Sequence, residues 1–427
     1  MTRLAIITTA LTSSLLSLSL ATSAGAETTY LTAAHMVDTV AGRVVDSPAV
    51  IIENGKITAV GTKTSLAAPK GAKRIDLGTK TILPGLIDMH VHITSRADMH
   101  GYRALAVTPV TEAISGVANA AITLHAGFTT IRNVGAGGFT DVALADAIES
   151  GEVPGPRIIP SGPAIGATGG HCDDNLLPHT YNIVGEAVAD GPDAIRAMVR
   201  KVHKYGAKSI KFCATGGVFS KGDTVGGQQY TLEEMTALVS EAHMLGLKVA
   251  AHAHGTSGIK DAIRAGVDTI EHASLADDEA FALAKAHGTA FSMDIYNDDY
   301  ILGEGEKVGI LPESLEKERM IGLKQRQTFQ AAVKAGVTMV FGSDAGVYPH
   351  GDNGRQFAKM VEWGMTPMQA IQAATTVSAK TLGDLGTDIG SISVGKSADI
   401  IAVNTDPTVT IKAMESVSFV MKSGKIF

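Results

Sequence analysis

A chain of 427 residues can hold one large catalytic domain and a small accessory one. Apolar residues make up 45% of it and charged residues 19%, a globular mix that excludes an intrinsically disordered protein. A formal charge of −7 offers no basic footprint for nucleic acid or an anionic membrane surface, so neither is expected as a partner.

The first predicted element is a leader at 1–26. Arg3 precedes a Leu/Ile-rich stretch at 4–20, and Ala24-Gly25-Ala26 fits an A-x-A cleavage pattern. Cleavage there would start the mature chain at Glu27 and send it to the periplasm or outside the cell. The rival is an uncleaved anchor, but the stretch is thick with Ser and Thr and lacks a charged stop-transfer flank. A span needs about 20 apolar residues. No later segment is long and apolar enough, so the mature form is expected to be free of the membrane.

Over 29–82 the pattern is short and β-like, with Val/Ile alternation broken by Asn-Gly and Gly-Thr turns that read as hairpins. The same texture returns in SVGKSADIIAVNTDP and SVSFVMKSGKIF. A small β-sandwich built from both termini, 27–83 with 388–427, is expected to flank a barrel at 84–387. Within 84–387 the runs LIDMHVHI, FTTIRNV, RIIPSGPAI, SIKFCATGG, KVAAHAHG, TIEHAS, AFSMDI and TMVFGSDAG suit buried parallel strands. Helical segments such as PDAIRAMVRKVHKYG and LEEMTALVSEAHMLG lie between them, several ending in Gly. Eight strand–helix alternations predict an α/β fold of the (β/α)8 TIM-type barrel class. The stretch 95–110 reads as a long loop over a substrate pocket.

Metal-binding side chains fall at the ends of those strand runs. His90 and His92, two apart on the first run, share a face. His252 ends the fifth run, His272 the sixth and Asp344 the eighth, and in a barrel these ends converge on one face. Imidazoles and a carboxylate together suit zinc or a similar divalent ion. The chain has 14 His, and a lone buried His is more often structural than a ligand. His35, His100, His125, His203, His243, His287 and His350 fall in loops or on helical segments and read as solvated or structural. Lys211 lies inside a strand, where an unpaired ammonium is costly. It either pairs with an acid or is carbamylated by CO2 into an anionic metal-bridging ligand. Cys172 and Cys213 are the only cysteines, too few for a scaffold, and are expected as free, partly buried thiols.

These motifs together resemble the amidohydrolase superfamily, in its binuclear-metal branch. LPGLIDMHVHI is similar to its first-strand signature, SIKFCATGGV to its carbamylated-lysine strand, IEHAS and GSDAG to its sixth and eighth strands. ATGG, AHAHG and the GGH loop are closest to the Xaa-Pro and Xaa-Arg dipeptidases and the ochratoxin-hydrolysing amidohydrolases. The loop GGHCDDN departs from the pattern, with Cys172 where a smaller residue is expected.

The resemblance implies two divalent ions, zinc first by ligand type. Carbamylated Lys211 would bridge them, with His90, His92 and Asp344 on the buried ion and His252 and His272 on the exposed one. It implies a shared hydroxide, Asp344 as general base and then acid, and His171 or His254 at the tetrahedral oxyanion or the substrate carboxylate. Tyr230 would donate a hydrogen bond to a substrate carboxylate. The expected partner is a small-molecule amide whose bond to a C-terminal amino acid is cut: a dipeptide, an N-acyl amino acid, or ochratoxin A cut to ochratoxin alpha and phenylalanine. Phe219, Met293, Tyr296 and Tyr348 suggest an apolar pocket. Related dipeptidases imply a homo-oligomer, up to an octamer. Two rivals use the same fold, an imidazolonepropionase-like cyclic-amide hydrolase and a deaminase, and Lys211 argues against both. A non-catalytic exported metal- or solute-binding protein would have no use for Asp344 as an acid–base group.

Overall fold

The computed structural model describes residues 28–427, so the expected leader at 1–26 lies outside the described residues. No helix among the described residues is long and apolar enough to cross a membrane.

The two ends of the chain meet in a pair of sheets. One runs in the order Lys56–Thr62, Pro48–Glu53, Thr28–Thr32, Lys73–Asp76. The other runs Lys425–Ile426, Val417–Lys422, Ile400–Val403, Thr81–Pro84, His35–Asp38, Arg43–Asp46. The C-terminal strand Ile400–Val403 pairs antiparallel with Thr81–Pro84, which joins the two chain ends. Asn54 and Gly55 sit at φ 51° and 76°, the doubly positive pair that a two-residue hairpin turn demands. Leu31, Val50 and Ile57 of the first sheet share a core with Met36, Ile82, Ile400 and Met421 of the second.

Between these ends lie eight parallel strands. Leu86–Val91, Phe128–Asn133 and Arg157–Ile159 form one sheet. Ser209–Cys213, Lys248–Ala253, Thr269–His272, Ala290–Ser292 and Met339–Val340 form another. Their Val/Ile/Ala-rich runs are buried almost throughout, as strands covered on both faces must be. Hydrogen bonds cross both seams. Ile165 N donates to Lys211 O and Cys213 N to Ile165 O, each at 2.9 Å. Met89 N donates to Phe341 O at 2.8 Å and Asp344 N to His90 O at 2.7 Å.

Two runs are shorter than their apolar length suggests. RIIPSGPAI keeps strand geometry only over Arg157–Ile159, because Pro160 and Pro163 have no N–H for the ladder. TMVFGSDAG does so only over Met339–Val340, after which Asp344 turns to φ 57°. Helices fill the connections. Thr231 and Glu234 form a capping box at the start of Leu232–Met244. Gly266 and Gly288 end two further helices at φ 98° and 74°. The seventh connection is larger than the pattern suggests: Asn297–Val308 and then Pro312–Ala335 cover one side of the strand ends.

Candidate metal centre

The C-terminal ends of the parallel strands open into a cavity of about 660 Å³, roomy enough for a dipeptide-sized ligand. His90, His92, Lys211, His252, His272 and Asp344 all line it.

Three of these rings, His90, His92 and His272, are turned by their second nitrogen. His90 Nδ1 lies 2.9 Å from Glu271 Oε2, and Glu271 Oε1 accepts from Arg132 Nη2 at 2.7 Å. Arg132 also donates to Met89 O and Thr269 Oγ1, so this buried ion pair is hydrogen-bonded on all sides. His272 Nδ1 lies 2.8 Å from Asp294 Oδ1, and His92 Nδ1 donates to Gly135 O at 3.2 Å. Carbonyl and carboxylate partners require Nδ1–H, which leaves each Nε2 lone pair facing the centre. Metal-ligating histidines are held in this way.

The atoms facing the centre lack protein partners. Asp344 Oδ1 stands 3.3 Å from both His90 Nε2 and His92 Nε2, yet has no hydrogen bond. His252 Nε2 is likewise buried and unpartnered. Buried acceptors crowded together are costly unless a cation joins them. Donor atoms of His90, His272 and Asp344 lie within 4.8 Å of one another, as do those of His252, His254 and His272. These residues therefore fit divalent ions, with His272 common to both groups. His272 and Asp344 have φ of 69° and 57°, strained positions of the kind that cluster at functional sites.

Charge on the groups follows from burial and neighbours. Burial and Lys211 oppose charge on His90, but Asp344 and Glu271 outweigh them and raise it to about 9, so an ion held there would take the place of a proton on Nε2. Burial pushes the Asp344 carboxyl up, but His90 and His92 overcome this and hold it well below the usual range. Burial, then the crowd of neighbouring imidazoles, lowers His252 and His254. The Lys211 amine makes no hydrogen bond or ion pair among the described residues, and burial lowers it to about 8 against the pull of Glu271 and Asp344.

His171 reaches the cavity from an irregular loop and stacks on His252, with ring centres 4.1 Å apart. The Ser220 hydroxyl is turned to Asp223 at 2.7 Å, so His171 Nδ1 donates to Ser220 Oγ at 2.7 Å. Nε2 of His171 thus presents a lone pair. Burial lowers this ring to about 3, and in its neutral state it accepts rather than donates, which argues against the oxyanion role. His254 stacks on His272 at 4.7 Å with Nδ1 2.8 Å from Ser274 Oγ, an arrangement that leaves it free to donate from Nε2. A Cβ at Gly217 would collide with the His171 ring, so only glycine fits beneath it.

Several expectations need correction. Cys172 and Cys213 are not free thiols: they form a disulfide, with Cα atoms 5.9 Å apart, tying the His171 loop to the Lys211 strand. Pairing could not be seen in the sequence because the two are 41 residues apart and meet only where the loop folds over the strand end. Tyr230 does not line the cavity; its buried hydroxyl donates to Ala189 O at 2.7 Å. Of the four apolar candidates, Phe219 lines the cavity, whereas Met293, Tyr296 and Tyr348 are packed in the core. His100 also lines the cavity, stacked on Phe219 with centroids 5.3 Å apart. Sequence reasoning missed Asp294, Asn297, Glu318 and Gln325. Asp294, an acid just past the seventh strand, carried a usable signal; the other three sit on helices with no local pattern to mark them.

Comparison with known proteins identifies the family. Residues 81–427 match the model of the amidohydrolase family. Ochratoxinase from Aspergillus niger is 31% identical over 411 residues, which cover 90% of this chain and 84% of the relative. The solved structure of a Xaa-Pro dipeptidase with methionine bound in its active site is 36% identical, with TM-score 0.86 over 94% of this chain and 99% of that one. A prolidase complexed with N-methylphosphonate-L-proline is 31% identical, with TM-score 0.85 over 94% of this chain and 99% of that one. The chain belongs to the amidohydrolase family and is a hydrolase acting on carbon–nitrogen bonds.

Proposed function

We propose that this protein hydrolyses the amide bond to a C-terminal amino acid, in dipeptides, N-acyl amino acids or aromatic amides of the ochratoxin A kind. The supporting observation is the convergence of four imidazoles, Asp344 and an unpartnered Lys211 on one cavity, with His252 Nε2 and Asp344 Oδ1 buried and unsatisfied. We read the two parallel sheets, bonded at both seams, as one closed (β/α)8 barrel, and the terminal sheets as a small β-sandwich.

His90, His92 and Asp344 would hold one divalent ion, and His252 with His272 a second; zinc suits these ligands best. Lys211 would join them as its carbamate. Its lowered pKa favours the neutral amine, the form that attacks CO2, and the product carboxylate removes a buried cation from the ligand set. When bound, such ions polarise the scissile carbonyl and make a water acidic enough to attack it near neutral pH. Asp344, a carboxylate at neutral pH, takes the proton of the attacking water and gives it to the leaving nitrogen. His254 Nε2–H donates to the oxygen that becomes anionic. His171, as acceptor, takes an N–H of the substrate. The expected leader would export the chain, and the Cys172–Cys213 bridge suits an oxidising compartment.

A hydrolysis screen of dipeptides, N-acyl amino acids and ochratoxin A, with metal analysis on the same sample, tests this reading. Turnover of at least one class with about two ions per chain is expected. Metal-loaded protein that cleaves none of them would overturn it.

A further inference from the structure

One wall of the cavity collects hydrogen-bond acceptors that no protein group satisfies. Glu318, on the helix Pro312–Ala335, is 3% exposed and lines the cavity. Its carboxyl takes no hydrogen bond and no ion pair among the described residues. Arg326, whose charge acts on Glu318, is already committed, since it pairs with Asp298 at 3.0 Å and Asp299 at 2.8 Å. Burial, then the carboxylates of Asp298 and Asp294, push Glu318 up to about 8, so it is largely protonated at neutral pH until a cation beside it favours the carboxylate.

Asn297 lines the same cavity. Its Nδ2 donates to Asp294 Oδ2 at 2.6 Å and Asp344 Oδ2 at 3.0 Å, which fixes the amide orientation. The opposite edge, Oδ1, is buried with no partner. The two acceptors belong to adjoining pieces of wall: a Cβ at Gly322 would lie 3.0 Å from Glu318 Oε1 and collide with Asp298, the neighbour of Asn297. Ile301, Ile321 and Val347 add apolar surface to the same cavity.

A buried acid and a buried carbonyl without donors call for a ligand that brings several N–H groups and a positive charge. A hydroxyl would satisfy one acceptor but supply no countercharge. We propose that Glu318 and the Asn297 carbonyl form a subsite for a positively charged nitrogen of the substrate, an α-ammonium or a guanidinium. This rests on the amide-hydrolase reading, and it narrows the substrate class to amides that carry a cation.

The test uses the metal-loaded protein and two matched pairs: a hydrophobic dipeptide with and without Nα-acetylation, and a dipeptide ending in arginine or in citrulline. In at least one pair the charged member should have about tenfold higher kcat/KM, expressed mainly in KM. Glu318→Gln should bring that ratio to within about twofold, and Glu318→Asp should restore part of it. Preference in the first pair assigns the α-ammonium, and preference in the second the guanidinium. Calorimetric binding of the phosphinate isosteres of each pair gives the same comparison without turnover. It separates failure of this subsite from failure of the amide-hydrolase reading, and serves if a variant folds but is inactive. Ratios near one in the wild type, or ratios that Glu318→Gln and Glu318→Asp both leave unchanged, would overturn the proposal.

Discussion

On the strand-end wall of the cavity, His90, His92 and His272 are each turned inward by a partner: Glu271 on the middle strand of the other parallel sheet, Gly135 O just past Phe128–Asn133, and Asp294 just past Ala290–Ser292. On the rim, His171 depends on a loop with no regular structure. It is held by Ser220, by Gln229 Oε1 accepting from its own N–H at 2.9 Å, and by the disulfide one residue on. The loop around Ser220 is itself fixed from a distance. Lys317, on the helix Pro312–Ala335, donates to Gly217 O, Ser220 O and Asp223 Oδ1 at 3.0, 2.7 and 2.7 Å. The inner wall inherits its rigidity from the sheet, while the rim has to be assembled from four separate segments. On the proposed reading, chemistry that needs ligand atoms placed to a fraction of an ångström would sit on the first, and substrate selection on the second.

This contrast predicts graded effects. Asp344→Asn should leave the fold and the far-ultraviolet circular dichroism intact and lower kcat by about three orders of magnitude, as loss of a general base does. A purified variant with wild-type kcat would take Asp344 out of the mechanism. Lys211→Ala should lose at least one ion and nearly all activity, with partial return on adding short carboxylic acids that replace the carbamate. Two ions and full activity in that variant would end the carbamate proposal.

A rim change should read differently. Cys172→Ser should keep the metal content and raise KM roughly three- to tenfold with less change in kcat, while stability falls by about 2–4 kcal/mol. Denaturant unfolding and initial-rate kinetics together would check this, and metal loss instead would show that the bridge supports the inner wall. Smallest of all, Tyr230→Phe should cost about 1–2 kcal/mol of stability by orphaning Ala189 O, with kcat/KM nearly unchanged. A large rise in KM would return Tyr230 to the substrate.

The convergence of the candidate ligand side chains on one cavity was legible because strand geometry is local. A period of two puts His90 and His92 on one face, and parallel strands in a common direction bring His252, His272 and Asp344 to one end, whatever the loops do. Local turn chemistry was equally readable at Asn54-Gly55 and at the glycine helix ends. The short third and eighth strands were less so, since apolar runs do not reveal where proline or a left-handed residue breaks the ladder.

The chain's own order of residues therefore settled the family, the alternation of strands and helices, and which side chains crowd the cavity at the strand ends, because each follows from contacts between near neighbours and a repeated unit. Only the tertiary structure decided that Cys172 meets Cys213, that Tyr230 turns away to Ala189, and that Asn297 and Glu318 close one wall. Those outcomes depend on where long connections land over the strand ends. That placement is set by packing between segments tens of residues apart, for which no local periodicity exists.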